Sequence, residues 1–292
     1  MAVAARLGGE IISADSRQVY RYMDIGTAKP GPEARRRVTH HGLDLIEPDA
    51  RYSAGRFARD AWRWMDAIRS RARLPIIVGG TGFFLRALLD PLAPEPGFDR
   101  ERRKALRSYL SSLDLGDLKR WLRRLDPARA RALEQEGGLQ RLLRSLEVAL
   151  LSGRSHTAWL TRSPQLRPLP ATVVCLTLPR SELYGRIDRR FDAMVQAGLI
   201  GEVERLLERF PTDAPGLRSV GYSEMIAFLR GEMGLEEAIA AAKRSTRRFA
   251  RRQLTWFRHQ LPYETLRLDA TERAEALGER IDVRWARATG SP

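Results

Sequence analysis

The segment formed by residues 10–30, EIISADSRQVYRYMDIGTAKP, limits the fold of this chain more than any other stretch. It begins as a short apolar strand over residues 11–14 and then stops on a carboxylate, Asp15. In an open α/β sheet, ligands bind at the carboxyl ends of the strands, so a catalytic group is expected at Asp15. A carboxylate there can accept a proton from an attacking nucleophile. The alternative interpretation is a helix N-cap, which favours Asp and Ser, and position alone does not decide between the two.

A second strand is predicted at Leu74–Val78, followed by a glycine turn, GGTG at residues 79–82, and the apolar helix pattern FFLRALL. A strand, a glycine turn and a helix in this order are typical of an anion site. The turn lacks the G-x-G-x-x-G spacing of a dinucleotide site. Two more strands are predicted at residues 172–178 and 264–269.

Helical patterns lie between these strands. Residues 98–160 are helical in pattern and rich in Arg and Leu, and proline-rich breaks at 91–96 and 161–170 bound them. Within them, GLQRLLRSLEVALLSGRS (residues 138–155) predicts an amphipathic helix with a solvated basic side. An earlier helix is predicted to be capped by Ser53 and to bury one face, made of Phe57, Ala61, Trp64, Met65 and Ile68.

A last basic helix is predicted from AAKRSTRRFARRQLTWFRHQ, residues 241–260. Phe249, Trp256 and Phe257 share one of its faces and are predicted to be core residues. The arginines around them are better explained by contacts with nucleic-acid phosphates.

Composition indicates a globular chain that favours polyanions. Of the 292 residues, 43% are hydrophobic and 30% are charged, with a net charge of +15. A positive excess attracts nucleic acid, because each phosphate contact releases counterions.

No apolar run approaches the ~20 residues that a membrane span needs. The single cysteine, Cys175, is predicted to be buried. These features indicate a cytoplasmic protein without a membrane partner. His40 and His41 have no third ligand at suitable spacing, so no metal site is predicted.

Several motifs together resemble the tRNA dimethylallyltransferase family (isopentenyl diphosphate:tRNA transferases). That family has I-S-x-D-S followed by Q-V-Y-R-G-M-D-I-G-T-A-K-P, and only Tyr22, in the place of the usual Gly, departs from the second motif here. The family's G-G-T-G-x-[YF]-x-x-A-L-L matches residues 79–89, and its R-x-V-G-Y matches residues 218–222. The pattern Q-R-[LI]-x-R-A-L-E-V corresponds to residues 140–148, with Ser145 in the place of the Ala, and R-Q-x-T-W-[FL]-R matches residues 252–258. The resemblance covers about residues 5–262.

The resemblance implies an α/β fold with a P-loop-type parallel sheet flanked by helices and with an inserted helical domain. Residues 1–94 and 162–292 would form the catalytic core, and residues 95–161 the insert that grips the tRNA anticodon stem-loop. The family begins with a strand and a phosphate-binding loop, G-x-x-x-x-G-K-[ST], whereas this chain has no Gly-Lys pair. Residues 1–9 resemble the end of a helix. We therefore expect a start codon placed too far downstream or a truncated form, and poor prenyl transfer by the chain as written.

The activity implied is transfer of a dimethylallyl group from dimethylallyl diphosphate to N6 of the adenosine 3′ of the anticodon in tRNA, with Mg²⁺ as cofactor and a monomeric enzyme. Asp15 would take the proton, Arg218 would act in the reaction channel, and Arg180 and Arg218 would contact the diphosphate. The resemblance places tRNA contacts at Asp15, Ser16, Arg17, Gln18, Thr81, Arg103, Gln140, Arg141, Leu142, Leu143, Arg144, Arg218, Gly221, Tyr222, Arg247, Arg251 and Arg252.

Two other classes remain open at this point. One is a P-loop nucleotide kinase relative, which would bind ATP and use the same sheet for a different transfer. The long DSRQVY and VGY motifs and the basic insert argue against it. The other is an RNA-binding protein without activity, which the missing phosphate-binding loop favours.

Overall fold

The computed structural model describes residues 1–89, 96–161, 169, 171–261 and 265–289. The chain divides into two compact units, one made of Met1–Leu89 with Leu169–Pro292 and the other of Asp90–Pro168. Parallel strands flanked by helices confirm the predicted α/β class. The domain boundaries expected at residues 94/95 and 161/162 stay a prediction, because residues 90–95 and 162–168 lie outside the described residues.

The strands form one three-stranded sheet and one two-stranded sheet, and every pair is parallel. In the larger sheet β1 (Gly9–Ser13) lies between β2 (His40–His41) and β3 (Leu74–Val78). All residues of β1 are buried, as expected for a central strand. The smaller sheet pairs β4 (Val174–Thr177) with β5 (Leu266–Asp269). The four predicted strands are thus confirmed within the described residues, with ends shifted by a few positions.

Helix α3 shows why a prediction from apolar spacing holds. The Ser53 hydroxyl accepts a hydrogen bond from the Arg56 N–H (3.2 Å) and so caps α3. Its apolar side chains at helical spacing are buried, except that Trp64 is half-buried and stacks on His41. In chain order the helices are α1 (Ala2–Arg6), α2 (Pro32–Arg37), α3 (Ala54–Arg69), α4 (Gly82–Leu89), α5 (Arg100–Ser112), α6 (Leu115–Leu125), α7 (Pro127–Glu136), α8 (Leu139–Ser152), α9 (His156–Leu160), α10 (Arg180–Gln196), α11 (Leu199–Leu207), α12 (Tyr222–Leu229), α13 (Leu235–Gln260) and α14 (Ala274–Thr289).

The unit made of α5 to α9 is helical, as predicted for residues 98–160. Asp126 caps α7 through the Arg129 N–H (3.0 Å), and its carboxylate also accepts from the N–H and hydroxyl of Thr157 (2.8 and 2.7 Å), which fixes α9. The core of this unit is leucine-rich and includes Leu110, Leu118, Leu122, Leu133, Leu142, Leu143 and Leu146.

Two further expectations concern burial. Cys175 in β4 is buried, as predicted, and burial raises the pKa of its thiol. None of the helices in the described residues has the length and apolar character that crossing a bilayer requires.

Candidate active site

The loops after β1 and β3 leave the same edge of the sheet, because the two strands are parallel and pair in register from Gly9 with Leu74 to Ser13 with Val78. The pairing continues beyond the strands: the Ala14 N–H donates to the Val78 carbonyl (2.7 Å). The glycine turn then folds over the first loop, and the Thr81 N–H donates to the Ala14 carbonyl (3.2 Å). The two loops therefore form one surface at the carboxyl ends of the strands.

Only a glycine fits at the start of the second loop. A Cβ atom on Gly79 would lie 2.2 Å from the Ala14 carbonyl oxygen, which belongs to the backbone and cannot move aside. Gly79 thus allows the close approach of the two loops.

Asp15 lies half-buried on this surface and uses one carboxylate oxygen to shape its own loop. Its Oδ1 accepts hydrogen bonds from the backbone N–H groups of Arg17 (2.7 Å) and Gln18 (3.4 Å). The alternative role predicted for Asp15, capping of backbone N–H groups, is thus present, but in a turn. Oδ2 has no hydrogen-bond partner within the described part of the chain. One oxygen therefore fixes the loop and the other is available to a bound molecule.

Ser16 and Thr81 join the two loops directly. The Ser16 N–H donates to the Thr81 hydroxyl oxygen (2.9 Å), and the Thr81 hydroxyl donates to the Ser16 hydroxyl (3.2 Å). The structure thus brings together Asp15, Ser16 and Thr81, three residues predicted for the site from separate motifs.

Gln18 and Arg17 tie this surface to two other segments. The Gln18 amide accepts from the Ser13 hydroxyl (2.8 Å) and donates to the carbonyls of residues 27 and 28 (3.2 and 3.3 Å). The Arg17 guanidinium donates to the Pro215 carbonyl (3.1 Å). Pro215 precedes Arg218, whose side chain is 68% exposed and lies 3.7 Å from Asp213. The Arg218 segment is therefore attached to the Asp15 loop.

Glu202 on α11 fixes the next part of the loop and was not predicted from sequence. Its carboxylate is buried and accepts the N–H groups of Asp24 (2.9 Å) and Ile25 (2.7 Å) on Oε2. Its Oε1 accepts the Gly26 N–H (3.1 Å) and the Tyr222 hydroxyl (2.6 Å). Four donors on one carboxylate satisfy it fully despite its burial. Burial, together with the negative charge of Glu202, raises the pKa of Tyr222.

A sequence signal for Glu202 did exist. It stands in the buried stripe of α11 with Leu199, Val203 and Leu206. An acidic residue inside an apolar helical stripe indicates a buried carboxylate that needs hydrogen-bond donors.

Three of the residues predicted to contact tRNA have buried side chains. The side chain of Tyr222 is fully buried, because its ring packs against Gly26 and its hydroxyl is bound to Glu202. Leu142 and Leu143 lie in the leucine-rich core of their unit. None of these three side chains is exposed, so a contact of these residues with tRNA stays a prediction.

Gly221, also predicted as a tRNA contact, has a conformational role in the structure. Its φ is +92°, and its N–H donates to the Glu224 carboxylate (2.8 Å) at the start of α12. A Cβ atom there would lie 3.2 Å from Phe191. A glycine is therefore favoured at this turn on backbone grounds alone.

Helix α13 packs on the glycine turn. The Gln253 side-chain amide donates to the Gly80 carbonyl (2.8 Å), and a Cβ atom on Gly82 would lie 2.4 Å from the Trp256 ring. Gln253 and Trp256 were assigned no role at this site from sequence. The prediction that the aromatic face is core is wrong for Phe249, which is 42% exposed with the Arg252 guanidinium 5.7 Å from its ring centroid.

The predicted arginines of α10 and α13 meet around one tyrosine. The Arg180 Nε donates to the Tyr184 hydroxyl (3.0 Å), and the guanidiniums of Arg180 and Arg247 lie 5.2 and 5.8 Å from its ring centroid. Arg247 is also bound to the Asp188 carboxylate (2.7 and 3.0 Å), so part of its charge is already balanced. The side chains of Arg251 and Arg252 are exposed.

The remaining predicted contacts lie in the helical unit. Arg103 and Arg144 both bind the buried carboxylate of Glu147, and Gln140 accepts a hydrogen bond from Arg107. Arg141 is exposed.

The two adjacent histidines act in packing. His41 shares a hydrogen bond with the buried Glu10 carboxylate (2.7 Å), and His40 Nδ1 lies 2.7 Å from the Val38 carbonyl oxygen. Among the described residues, no group of three His, Cys, Asp or Glu side chains is arranged to hold a metal ion.

Known proteins resemble this chain in sequence and in fold. The family model described as IPP transferase matches residues 18–260. A tRNA dimethylallyltransferase from Moorella thermoacetica is 46% identical over 266 residues, which cover 88% of this chain and 82% of that protein. One from Thermomicrobium roseum is 42% identical over 286 residues, covering 96% and 85%. The crystal structure of the full-length tRNA isopentenylpyrophosphate transferase from Bacillus halodurans superposes with a TM-score of 0.70 at 36% identity, covering 98% of this chain and 90% of that one.

Proposed function

Because the chain belongs to the IPP transferase family, we propose that it is a tRNA dimethylallyltransferase. It transfers a dimethylallyl group from dimethylallyl diphosphate to N6 of the adenosine 3′ of the anticodon and gives N6-isopentenyladenosine. The observation that carries this proposal is Asp15, held at the joined carboxyl ends of β1 and β3 with Oδ2 available.

Asp15 acts as the proton acceptor in this proposal. The exocyclic amine of adenine is a weak nucleophile, because its lone pair is delocalised into the ring. A carboxylate that binds an N6 hydrogen and takes a proton as the C–N bond forms lowers the barrier to attack. Oδ1 keeps the loop in place during this step, since it is held by the Arg17 and Gln18 N–H groups.

The leaving diphosphate needs positive charge. As the allylic C–O bond breaks, negative charge grows on the diphosphate oxygens, and fixed cations stabilise that charge. Arg218 is exposed and linked through its segment to Arg17, and Arg180 follows β4 at the first turn of α10. We assign both to the diphosphate. The resemblance also implies Mg²⁺, which would add positive charge at the leaving diphosphate.

The target adenine must leave its stack to reach Asp15, which costs less in an anticodon loop than in a duplex. The Ser16 and Thr81 hydroxyls border the carboxylate and can donate to or accept from the base edge. The exposed arginines of α13 and of the helical unit serve the RNA phosphates. We also propose a cytoplasmic monomer, and size-exclusion chromatography with light scattering tests the oligomeric state.

A second candidate is RNA binding without transfer. The chain has no Gly-Lys pair, so it carries no phosphate-binding loop of the G-x-x-x-x-G-K type. Under this alternative the anticodon stem-loop binds to the basic surfaces and Asp15 has no chemical role.

The experiment measures two quantities on the 292-residue chain: labelled dimethylallyl incorporation into an anticodon stem-loop and the Kd for the same RNA. Asp15→Asn keeps an Oδ1 acceptor for the turn and removes the proton acceptor. We expect incorporation to fall by ~10²-fold or more while Kd changes little. Asp66→Asn is the matched control, since Asp66 is exposed on α3 and pairs only with Arg69 in the described residues.

The outcomes separate the candidates. Incorporation by the unchanged chain with loss in Asp15→Asn supports the proposed reaction. Equal incorporation by Asp15→Asn would remove Asp15 as the base. Tight, specific stem-loop binding without incorporation would favour the binding-only alternative.

A further inference from the structure

The buried carboxylate of Glu202 binds two segments of the chain that lie far apart in sequence. On one side it accepts the backbone N–H groups of residues 24–26, at 2.7 to 3.1 Å. On the other side it accepts the Tyr222 hydroxyl, at 2.6 Å. Residues 24–26 follow Asp15 in the same loop, and Tyr222 closely follows Arg218. We refer to Glu202, the N–H groups of residues 24–26 and the Tyr222 hydroxyl as the Glu202 junction.

The loop side of the Glu202 junction is connected to Asp15 by hydrogen bonds. The carbonyls of residues 27 and 28, next along the loop, accept from the Gln18 side-chain amide (3.2 and 3.3 Å). The Gln18 backbone N–H in turn donates to Asp15 Oδ1 (3.4 Å). The orientation of the Asp15 carboxylate therefore depends on where Glu202 holds residues 24–26.

The tyrosine side of the Glu202 junction holds the segment that carries Arg218. The Tyr222 side chain is fully buried, and a Cβ atom on Gly26 would lie 2.5 Å from its ring, so the loop lies directly against the tyrosine. The backbone after Arg218 is held as well, since the Ser223 N–H donates to the Ser219 carbonyl (3.1 Å). The Arg218 side chain is 68% exposed and extends from this backbone. A shift of the Tyr222 hydroxyl would therefore displace the segment that carries Arg218.

A carboxylate suits this junction because all its partners are donors. Its two oxygens offer about four acceptor sites, and four donors meet them. An amide would turn its NH₂ toward at least one donor, and an apolar side chain would leave every donor without this acceptor. The carboxylate also has a fixed origin, because Leu199, Val203 and Leu206 bury the same face of α11. Both segments are therefore held at one point on a helix that is anchored in the core.

We propose that Glu202 is a positioning residue for the transfer reaction, which sets the place of the Asp15 carboxylate relative to the Arg218 guanidinium. This role rests on the proposed function. In that reaction the C–N bond forms and the allylic C–O bond breaks; the proton goes from N6 to Asp15, and the diphosphate leaves with the bonding electron pair. Misplacement of reacting groups by about 1 Å can cost roughly 10²-fold in rate. Glu202 touches neither substrate and acts only through the two segments that it binds.

Positioning and simple structural support differ in their kinetics. A residue that only stabilises the fold changes the folded fraction, and each folded molecule keeps its kcat and KM. A residue that positions Asp15 and Arg218 changes kcat, or the KM for dimethylallyl diphosphate, in fully folded protein. Glu202→Gln disturbs both segments. Tyr222→Phe releases the Arg218 segment alone, because three N–H groups still bind Glu202.

The kinetic test measures labelled dimethylallyl incorporation into an anticodon stem-loop by the full chain, at a temperature where circular dichroism shows every variant folded. We expect Glu202→Gln to lower kcat by ~10-fold or more with little change in the Kd for the stem-loop. We expect Tyr222→Phe to raise the KM for dimethylallyl diphosphate by about 3-fold or more. An unchanged kcat in the first variant, or an unchanged KM in the second, would contradict the proposal.

Two controls separate positioning from charge and from stability. Glu204→Gln makes the same charge change on an exposed residue of α11. Ser53→Ala removes the side chain that caps α3 and so lowers stability through a residue outside both segments. We expect both controls to keep the kcat and KM of the unchanged chain. A control that loses kcat to the same extent as Glu202→Gln would attribute the loss to charge or stability and count against positioning.

Hydrogen exchange gives a readout that needs no turnover. In Glu202→Gln we expect faster exchange over residues 15–18 and over residues 218–223, and not only over the contacted residues 24–26. Acceleration confined to residues 24–26 would show that Glu202 supports only its direct neighbours, and the positioning role would be wrong. If Glu202→Gln does not fold, Tyr222→Phe decides: faster exchange over residues 218–223 supports the role, and unchanged exchange there overturns it.

The positioning role and the proposed reaction fail separately. If Asp15→Asn transfers dimethylallyl as well as the unchanged chain, the proposed proton acceptor is wrong, while hydrogen exchange still reports whether Glu202 fixes both segments. If Asp15→Asn loses transfer and Glu202→Gln keeps its kcat, the positioning role alone is wrong.

Discussion

The Tyr222 hydroxyl donates a 2.6 Å hydrogen bond to the carboxylate of Glu202, and neither side chain is open to solvent. The same carboxylate accepts the three consecutive backbone N–H groups of residues 24–26. Gln18 in turn is bound to the carbonyls of residues 27 and 28. The Asp15 loop is therefore held from the α11 side through a continuous set of hydrogen bonds.

Replacing the Glu202 carboxylate should loosen this loop. All four partners of Glu202 are donors, so in Glu202→Gln the amide NH₂ must face at least one N–H group. We expect a loss of about 1–3 kcal/mol in the free energy of unfolding and faster hydrogen exchange of residues 24–28. Urea denaturation and hydrogen-exchange mass spectrometry measure both. Tyr222→Phe removes one donor and leaves Glu202 three, so it should cost less, about 0.5–1.5 kcal/mol. A larger loss in Tyr222→Phe than in Glu202→Gln would contradict this account.

Two glycine-to-alanine substitutions should have opposite effects on stability. In Gly79→Ala the new Cβ meets the Ala14 carbonyl oxygen at 2.2 Å, and separating the backbones should cost at least about 1–3 kcal/mol. In Gly55→Ala, inside α3, the nearest atom is the end of the flexible Arg59 side chain at 3.9 Å. Alanine should stabilise that helix by up to about 1 kcal/mol. Thermal unfolding measures both, and equal melting temperatures for the two variants would show that the loops can separate at little cost.

Tyr22 occupies a backbone position that favours glycine, with φ at +63°. Its ring stacks on Phe210 (6.4 Å) with the Arg209 guanidinium 4.0 Å from its centroid, and these contacts offset the strain. Tyr22→Ala removes the contacts and keeps the strain, whereas Tyr22→Gly removes both. We expect the Gly variant to be more stable than the Ala variant by about 1 kcal/mol, the reverse of the usual order. Denaturant titration of the two variants gives the order directly.

Acid should destabilise the protein partly through Glu10. The Arg71 guanidinium, with a smaller contribution from His41, outweighs burial and holds the pKa of Glu10 below its ordinary value. A depressed carboxyl pKa contributes stability that is full above the unfolded-state pKa of about 4.3 and is lost as pH falls through the folded-state pKa. Glu10→Gln should therefore lose less stability than the unchanged protein between about pH 5 and pH 3. Melting temperatures over this range, with the exposed Glu232→Gln as control, check the prediction.

Local patterns predicted the elements that carry the site. Hydrophobic spacing and turn residues act over a few positions. They were therefore sufficient to predict the strand before Asp15, the strand before the glycine turn and the helix capped by Ser53. The rule that ligands bind at the carboxyl ends of strands placed Asp15 at the site, whereas Ser16 and Thr81 were assigned to it from the resemblance.

The parts that sequence did not predict depend on distant partners. Glu202 takes its role from donors on other segments. Glu147 also binds Arg103 and Arg107 of α5, which the sequence of its own helix does not show. The resemblance placed Tyr222 among the tRNA contacts. In the structure its hydroxyl donates a hydrogen bond to the buried Glu202 carboxylate. Phe249 shares a helical face with Trp256, but only Trp256 meets the glycine turn, so periodicity alone assigned both to the core.

The hydrogen bond from Gln253 to the Gly80 carbonyl joins residues 173 positions apart. On a ribosome that adds about 5–20 residues per second, the glycine turn would wait roughly 10–35 seconds for Gln253 to be synthesised. Trp256, which covers Gly82, arrives later still. The edge of the sheet that bears Asp15 thus gains its last support only when α13 is made. A nascent chain interrupted before that helix would present the Asp15 loop and the glycine turn without the helix that packs on them.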